Sequence, residues 1–455
     1  MTDSEKISLS RAIDICNNAM LDDPETALSE HNRLKERQLE SRVMFGTESV
    51  PTLPRPHFLT AGQIEKLKYI TTVIMGCLEK VIKLYFESDA LKEVLVLSDA
   101  EREMVGIDPG ISRVIHKARL DSFFEGDDLK FLEFNCDSPA AVGYGDCQTE
   151  IFKSLFYMNE LEKEFEFEWV ERRRMMLETL IDAYRDFGGK KEYPVILITD
   201  WRDVKTIHEF YILKEYFESM GYETVIADPR DLELRGDVLY ADGKIVDMVY
   251  RRVIIKEVLE KKGDVGDLLE AIKRKTVCVV NPFRAKIVSN KSTLAVLTDP
   301  KFDHLFTDEE NRVIAEHVPW TRNLKPGKVV YEGTEWDICD LVEKKRENFV
   351  IKPCDGYGGK GVKLGWQFTD AEWRTELEAA SESNYVIQDM VHIPVEEFPV
   401  LKNGKYELQE RYVNLNPFAI GGKYGGCISR ISMSPIINVS AGGGMVPTFT
   451  IKSRT

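Results

Sequence analysis

The chain of 455 residues is 43% hydrophobic and 30% charged, ordinary proportions for a soluble globular protein with core enough for roughly three domains. Its 61 basic and 77 acidic side chains give a formal charge of −16, which excludes a general nucleic-acid role because a phosphate backbone needs a basic face. No apolar run reaches membrane-spanning length, no signal-peptide pattern opens the chain, and eight scattered cysteines form no C-x-x-C pair, so a reduced cytoplasmic protein without a membrane partner is expected.

Taken in chain order, residues 1–46 read as polar helix, and the three prolines of VPTLPRPHF (50–58) end it. Thr60 and Gln63 have the spacing of a capping box, opening a long helix through EKLKYITTVIMGCLEKVIKLYFES.

The stretch RLDSFFEGDDLKFLEFN (119–135) follows, two strand-like segments about a turn signal. Residues i and i+2 share a strand face, which couples Arg119 with Asp121 and Glu133 with Asn135. A three-residue loop at Gly126, Asp127 and Asp128 sets Asp121 opposite Glu133 and Arg119 opposite Asn135. All four polar groups then meet on one surface, with Leu120, Leu132 and Phe134 packed behind. A two-residue loop would divide the pairs between faces. Mg²⁺ prefers oxygen ligands and commonly takes one or two carboxylates plus substrate phosphates, so Asp121, Glu133 and the amide oxygen of Asn135 suit it. A charged, solvated hairpin face is the alternative reading.

More helix is expected over QTEIFKSLFYMNELEKEFEFEWVERRRMMLETLIDAYRDF (148–187). Strands at YPVILITD (193–200), TVIADP (224–229), DMVYRR and TVCVV (276–280) then alternate with helices, including one closed by Gly221. That alternation predicts a small parallel sheet of Rossmann type. No G-x-G-x-x-G follows its first strand, so a dinucleotide is not required. Arg251 and Arg252, at the end of its third strand, are secondary candidates for gripping a substrate carboxylate, against the alternative of a structural ion pair.

From 281 onward come a helix start at SNKSTLAVLTD, short strands and a Gly-rich end. In NFVIKPCDGYGGKGVKLGW (348–366), a strand, a glycine loop and a second strand form a flap whose backbone N–H groups can fold over phosphates. Lys352 just before the loop supplies a point charge. Read alone, it is equally a surface hairpin. The G-x-G-x-x-G letters here precede a strand rather than a helix, the G-K-[ST] of a Walker loop is missing, and no H-R-D or D-F-G follows, so Rossmann, P-loop and kinase readings fail. YVIQDMV (385–391) is a strand placed to meet adenine through the main chain of Gln388 to Val391, with Asp389 between. Arg430 lies in an alternating segment, and Asn438 precedes the run Gly442 to Gly444. An arginine there suits phosphate charge developing in a transition state.

In combination these stretches resemble the ATP-grasp carboxylate–amine ligases, and more closely their circularly permuted branch, which includes the synthetase domain of glutathionylspermidine synthase. The resemblance runs over most of residues 115–455: R-x-D and E-x-N, then SNK (289–291), VIKP (350–353), YVIQDMV and NPFAIGGKYGGCISR. The acidic hairpin preceding the lysine and glycine loop is the signature of the permutation. The resemblance implies an α/β (α+β) ATP-grasp fold with a Rossmann-like domain and an N-terminal helical extension. The expected divisions are 1–59, 60–189 with the metal hairpin, 190–281 as the Rossmann-like substrate domain, and 282–455 with the flap. It implies that Asp121, Glu133 and Asn135 hold Mg²⁺, in all two ions. Lys291, Lys352, Gly356, Gly358 and Gly359 would hold ATP, and Arg119 and Arg430 would steady the acyl phosphate and departing phosphate. Asn438 joins the substrate candidates. The first 60 residues are too few for the amidase domain of glutathionylspermidine synthase, and the C-terminal stretch differs, so glutathione and spermidine are not expected as substrates.

The expected activity is ATP-dependent amide formation between a small-molecule or peptide carboxylate and an amine. The alternatives are a nucleotide-binding regulator or assembly protein without turnover, and a phosphotransferase using the same site. A homodimer is one admissible assembly.

Overall fold

The computed structural model describes residues 1–356, 358–437 and 443–454. It is a mixed α/β structure, and three sheets position the site. The largest has the order His57–Thr60, Gly444–Ser453, Lys423–Ser432, Lys405–Ile420, Lys117–Glu125, Asp128–Asn135. The helix Ala61–Tyr85 packs on this sheet, and its predicted capping box is present, Thr60 accepting from the Gln63 N–H and Gln63 from the Thr60 N–H. Such a cap contributes about 1 kcal/mol.

The second sheet is parallel throughout, in the order Cys278–Val280, Met248–Arg251, Ile196–Thr199, Thr224–Ala227. Asp242 and Gly243 form a two-residue turn before its third strand, both at positive φ. The third sheet runs Thr321–Asn323, Tyr385–Asp389, Phe349–Pro353, Lys363–Leu364, all antiparallel.

Two expectations about helices need correction. Residues 1–46 form two helices, Asp3–Asp22 and Pro24–Glu40, because Asp23 caps the second and Pro24 starts it. The long helix over 148–187 is interrupted: Val142–Phe152, Met158–Glu164 and Arg172–Asp186 are helical, but Phe165–Glu168 is a strand on Gly444–Ser453. FEFE alternates apolar and acidic residues, a period of two that no helix face accommodates.

Asn281, just after the last parallel strand, joins this sheet to the acidic hairpin. Its Oδ1 accepts from the His116 and Lys117 N–H groups at 3.0 and 3.1 Å, and its Nδ2 donates to the Lys117 and Cys136 carbonyls, both at 2.7 Å. One amide thus clamps both strands of the hairpin at their open end. Asn281→Ala would leave buried N–H and C=O groups unpaired, and should lower stability by on the order of 3 kcal/mol as a shift in urea midpoint. A loss under about 0.5 kcal/mol would show that the clamp is not used.

Candidate active site

The hairpin carries its four polar residues as the alternation predicts: Asp121 pairs with Glu133 and Arg119 with Asn135. The route to that register is different. The loop has two residues, Gly126 and Asp127, with Gly126 at a φ of 58°. A bulge between Asp121 and Ser122 then leaves Leu132 as the extra residue and restores the pairing. Leu132 consequently does not pack behind the site; it lines the cleft, while Leu120 and Phe134 are buried as expected.

Eleven of the candidates line one cleft between the large sheet and the antiparallel sheet: Arg119, Asp121, Glu133, Asn135, Lys352, Gly358, Gly359, Gln388, Asp389, Val391 and Arg430. The strand Lys405–Ile420 lies between the hairpin and the strand of Arg430, which brings the Arg430 guanidinium to 2.5 Å from Asp121 Oδ2. Arg119 Nε donates to Asp121 Oδ1 at 3.0 Å. Arg430 also donates to Asn416 Oδ1, a partner missed in the sequence. Burial lowers Arg430 from its ordinary value, and Asp121 opposes that shift.

Glu133 accepts from Lys291 Nζ at 2.9 Å and from Asn135 Nδ2 at 3.1 Å. Burial works to raise its carboxyl, but Lys291, Asn135 and nearby Lys352 outweigh it and hold Glu133 well below the carboxylate range. Lys291 also donates to the Gly356 carbonyl at 2.8 Å, so it sits behind Glu133, under the start of the glycine loop. Gly356 itself lines an adjoining cavity instead of the main cleft.

Lys352 donates to Gln388 Oε1 at 2.6 Å, so Gln388 meets the site through its side chain. Val350 shares the face of Lys352 and, with Leu132, Val362, Leu364, Met390 and Ile393, gives the cleft an apolar end. That wall was not picked out from the sequence, although the alternation Val350–Lys352 was a signal for it. At the hinge, the Asp389 and Met390 N–H groups donate to the Trp320 and Asn348 carbonyls, whereas the Val391 N–H has no partner among the described residues. Burial lifts the Asp389 carboxyl to about 6. In the flap, Gly358 and Gly359 have φ of 74° and 69°, and a Cβ on Gly359 would meet Ile436 at 2.7 Å.

Arg251 does not reach the cleft. Its guanidinium is taken up by the Asn281 carbonyl at 2.9 Å, the Val253 carbonyl and Asp137 at 2.6 Å, so the structural ion pair is what is observed. Arg252 lines the adjoining cavity. Asn438 lies outside the described residues.

Among the described residues no three His, Cys, Asp or Glu side chains gather to hold a metal. Two carboxylates and the side chain of Asn135 do line the cleft, with Asn135 Nδ2 donating to both Asp121 and Glu133. A set of this kind fits Mg²⁺, which shares its coordination with substrate phosphates.

The family model for circularly permuted ATP-grasp type 2 proteins matches residues 89–431. The chain belongs to this family. An uncharacterized protein of Mycobacterium tuberculosis (strain ATCC 25618 / H37Rv) is 24% identical over 377 residues, which cover 78% of this chain and 63% of that protein. A putative glutamate–cysteine ligase of Frankia casuarinae is 26% identical over 253 residues, 51% of this chain and 27% of that one. The chain therefore spans less than two thirds of these curated relatives. A glutathione synthetase-like effector from Globodera pallida, in its apo form, shares the fold with a TM-score of 0.64 at 14% identity, over 96% of this chain and 99% of that one. The permuted ATP-grasp fold expected from the sequence is thus the fold observed.

Burial, opposed by Glu133 and reinforced by Lys291, lowers Lys352 to about 8. Phosphate binding favours the ammonium form, so affinity for Mg-ATP should be flat below about pH 8 and weaken by up to about tenfold per pH unit above it. Calorimetric titration across this range checks the slope, and Lys352→Met should both weaken binding and flatten it. The same depressed value means that Lys352 costs the fold stability at neutral pH, a cost relieved as pH rises from about 8 toward the ordinary 10.5.

Proposed function

We propose that the protein is an ATP- and Mg²⁺-dependent carboxylate–amine ligase that forms an amide through an acyl phosphate. The observation that carries this reading is the charge arrangement of the cleft. Asp121 and Glu133 lie side by side, held by Arg119, Arg430 and Lys291, with Lys352 beside them. Four cations against the three carboxylates Asp121, Glu133 and Asp389 leave a local positive excess in a chain of net charge −16, as a polyphosphate would require.

The apolar end of the cleft, with the free Val391 N–H, suits an adenine ring, and the lysines suit the phosphates. Mg²⁺ bound at Asp121, Glu133 and Asn135 would neutralise charge on the β- and γ-phosphoryl oxygens. The substrate carboxylate attacks the γ-phosphorus, the bond to ADP breaks, and an acyl phosphate remains. Arg119 and Arg430 would meet its oxygens. An amine then displaces phosphate to give the amide. No side chain need act as a covalent nucleophile, so positioning and electrostatic stabilisation supply the rate. The putative glutamate–cysteine ligase among the relatives accords with this class of reaction.

Release of ADP and phosphate from Mg-ATP should be stimulated by a specific acid–amine pair found in pools of amino acids, short peptides and polyamines. Glu133→Ala should reduce that stimulated rate by roughly 10²-fold or more. The same change leaves Lys291 buried without its carboxylate, and should also cost about 3 kcal/mol in a denaturation titration. Phosphate release indifferent to any amine, or unaffected by Glu133→Ala, would contradict the ligase reading.

A further inference from the structure

Lys352 is buried, and its hydrogen bonds among the described residues go to neutral oxygens: Gln388 Oε1 at 2.6 Å and the Leu132 carbonyl at 3.4 Å. The carboxylate that acts on it most strongly through space, Glu133, is paired with Lys291 instead. An ammonium held by neutral oxygens keeps its charge for an incoming anion, whereas a carboxylate at position 388 would neutralise it.

The orientation of the Gln388 amide is set from both ends. Lys352 can only donate, which calls for the amide oxygen on its side. On the other side Gln388 Nε2 donates to Thr321 Oγ1 at 3.1 Å, and the Thr321 hydroxyl donates in turn to the Pro319 carbonyl at 2.9 Å. That hydroxyl has given its one proton to Pro319, so toward Gln388 it can only accept, and it calls for the amide nitrogen. The three side chains come from neighbouring strands and share a face: Thr321 lies directly opposite Gln388, and Lys352 is its diagonal neighbour, two residues beyond Val350. Gln388 and Thr321 are both buried, so water does not compete for these bonds. Thr321 stands on the edge strand of the sheet and does not line the cleft.

We propose that Gln388 is a positioning residue for nucleotide phosphate: the relay from Pro319 through Thr321 and Gln388 aims the Lys352 ammonium, and the Gln388 side chain acts through that lysine instead of on the nucleotide. The proposal rests on the ligase reading and deepens it by stating how one of its phosphate-binding groups is held in place. Without Oε1 the ammonium would be free to turn toward Glu133, a carboxylate assigned to Mg²⁺. With Oε1 in place, Lys352 stays available to phosphate while Lys291 keeps Glu133.

Calorimetric titration of the full chain with a non-hydrolysable Mg-ATP analogue and, separately, with adenosine tests the relay. Gln388→Met, close in size and without the amide, should weaken the analogue by about tenfold and adenosine by less than about twofold. Thr321→Val keeps the shape but frees the amide to turn, and should weaken the analogue by about threefold with the same indifference to adenosine. It carries the prediction by itself should Gln388→Met not fold. Neither change should add to Lys352→Met: the double variants should bind the analogue within about twofold of Lys352→Met alone. Losses that multiply in the double variants, adenosine weakened as much as the analogue, or full affinity in Gln388→Met and Thr321→Val would each overturn the proposal. Failure of the wild type to bind the analogue would instead overturn the ligase reading.

Discussion

A carboxylate removed from water has to be paired, and in this protein two of them stand side by side beneath one cleft. Asp121 pairs with Arg119 and Arg430, and Lys291 holds Glu133 ionised. Removing one partner of such a buried pair costs about 3–5 kcal/mol, so the four cations and two carboxylates form a unit that cannot be dismantled piecemeal. In the proposed reaction a divalent cation would take the carboxylates while a polyphosphate took the arginines and lysines, its negative charge meeting the local positive excess. Stability of the free protein and affinity for a metal–nucleotide pair then draw on the same charges.

The rest of the fold holds those charges in register. Asp121 and Arg430 are 309 residues apart in the chain and one strand apart in the sheet. Asn281 ties the hairpin to the parallel sheet through four hydrogen bonds, and the Arg251–Asp137 pair reinforces the junction. Flap and hinge come from a separate antiparallel sheet, whose Lys352 and Gln388 meet the hairpin across the cleft. Each wall is thus a rigid strand, and the glycines at positive φ lie where the flap's two strands connect.

Much of this was legible because strand periodicity is strict. Alternation coupled Arg119 with Asp121 and Glu133 with Asn135, and the resemblance brought Lys291, Lys352 and Arg430 to the same site. What escaped was geometry that no short pattern encodes. The bulge at Leu132 corrects for a turn shorter than expected, so the right pairing followed from the wrong loop. Arg251 and Arg252 are adjacent letters, but consecutive residues at a strand end point in opposite directions, and only Arg252 faces a cavity. Phe165–Glu168 looked helical beside long helical neighbours, until a partner strand from the far end of the chain satisfied its backbone. The apolar end of the cleft is assembled from segments too far apart in sequence for any one of them to announce it.

Crystals grown with Mn²⁺ and ADP, measured for anomalous scattering, examine the exchange of partners most directly. Anomalous density should fall about 2.1 Å from oxygens of Asp121, Glu133 and Asn135, with Arg430 drawn off Asp121 toward phosphate and adenine against Val391. Nucleotide bound elsewhere, or metal and nucleotide bound while the Asp121–Arg430 pair stays closed, would contradict the hairpin's role as the metal cradle.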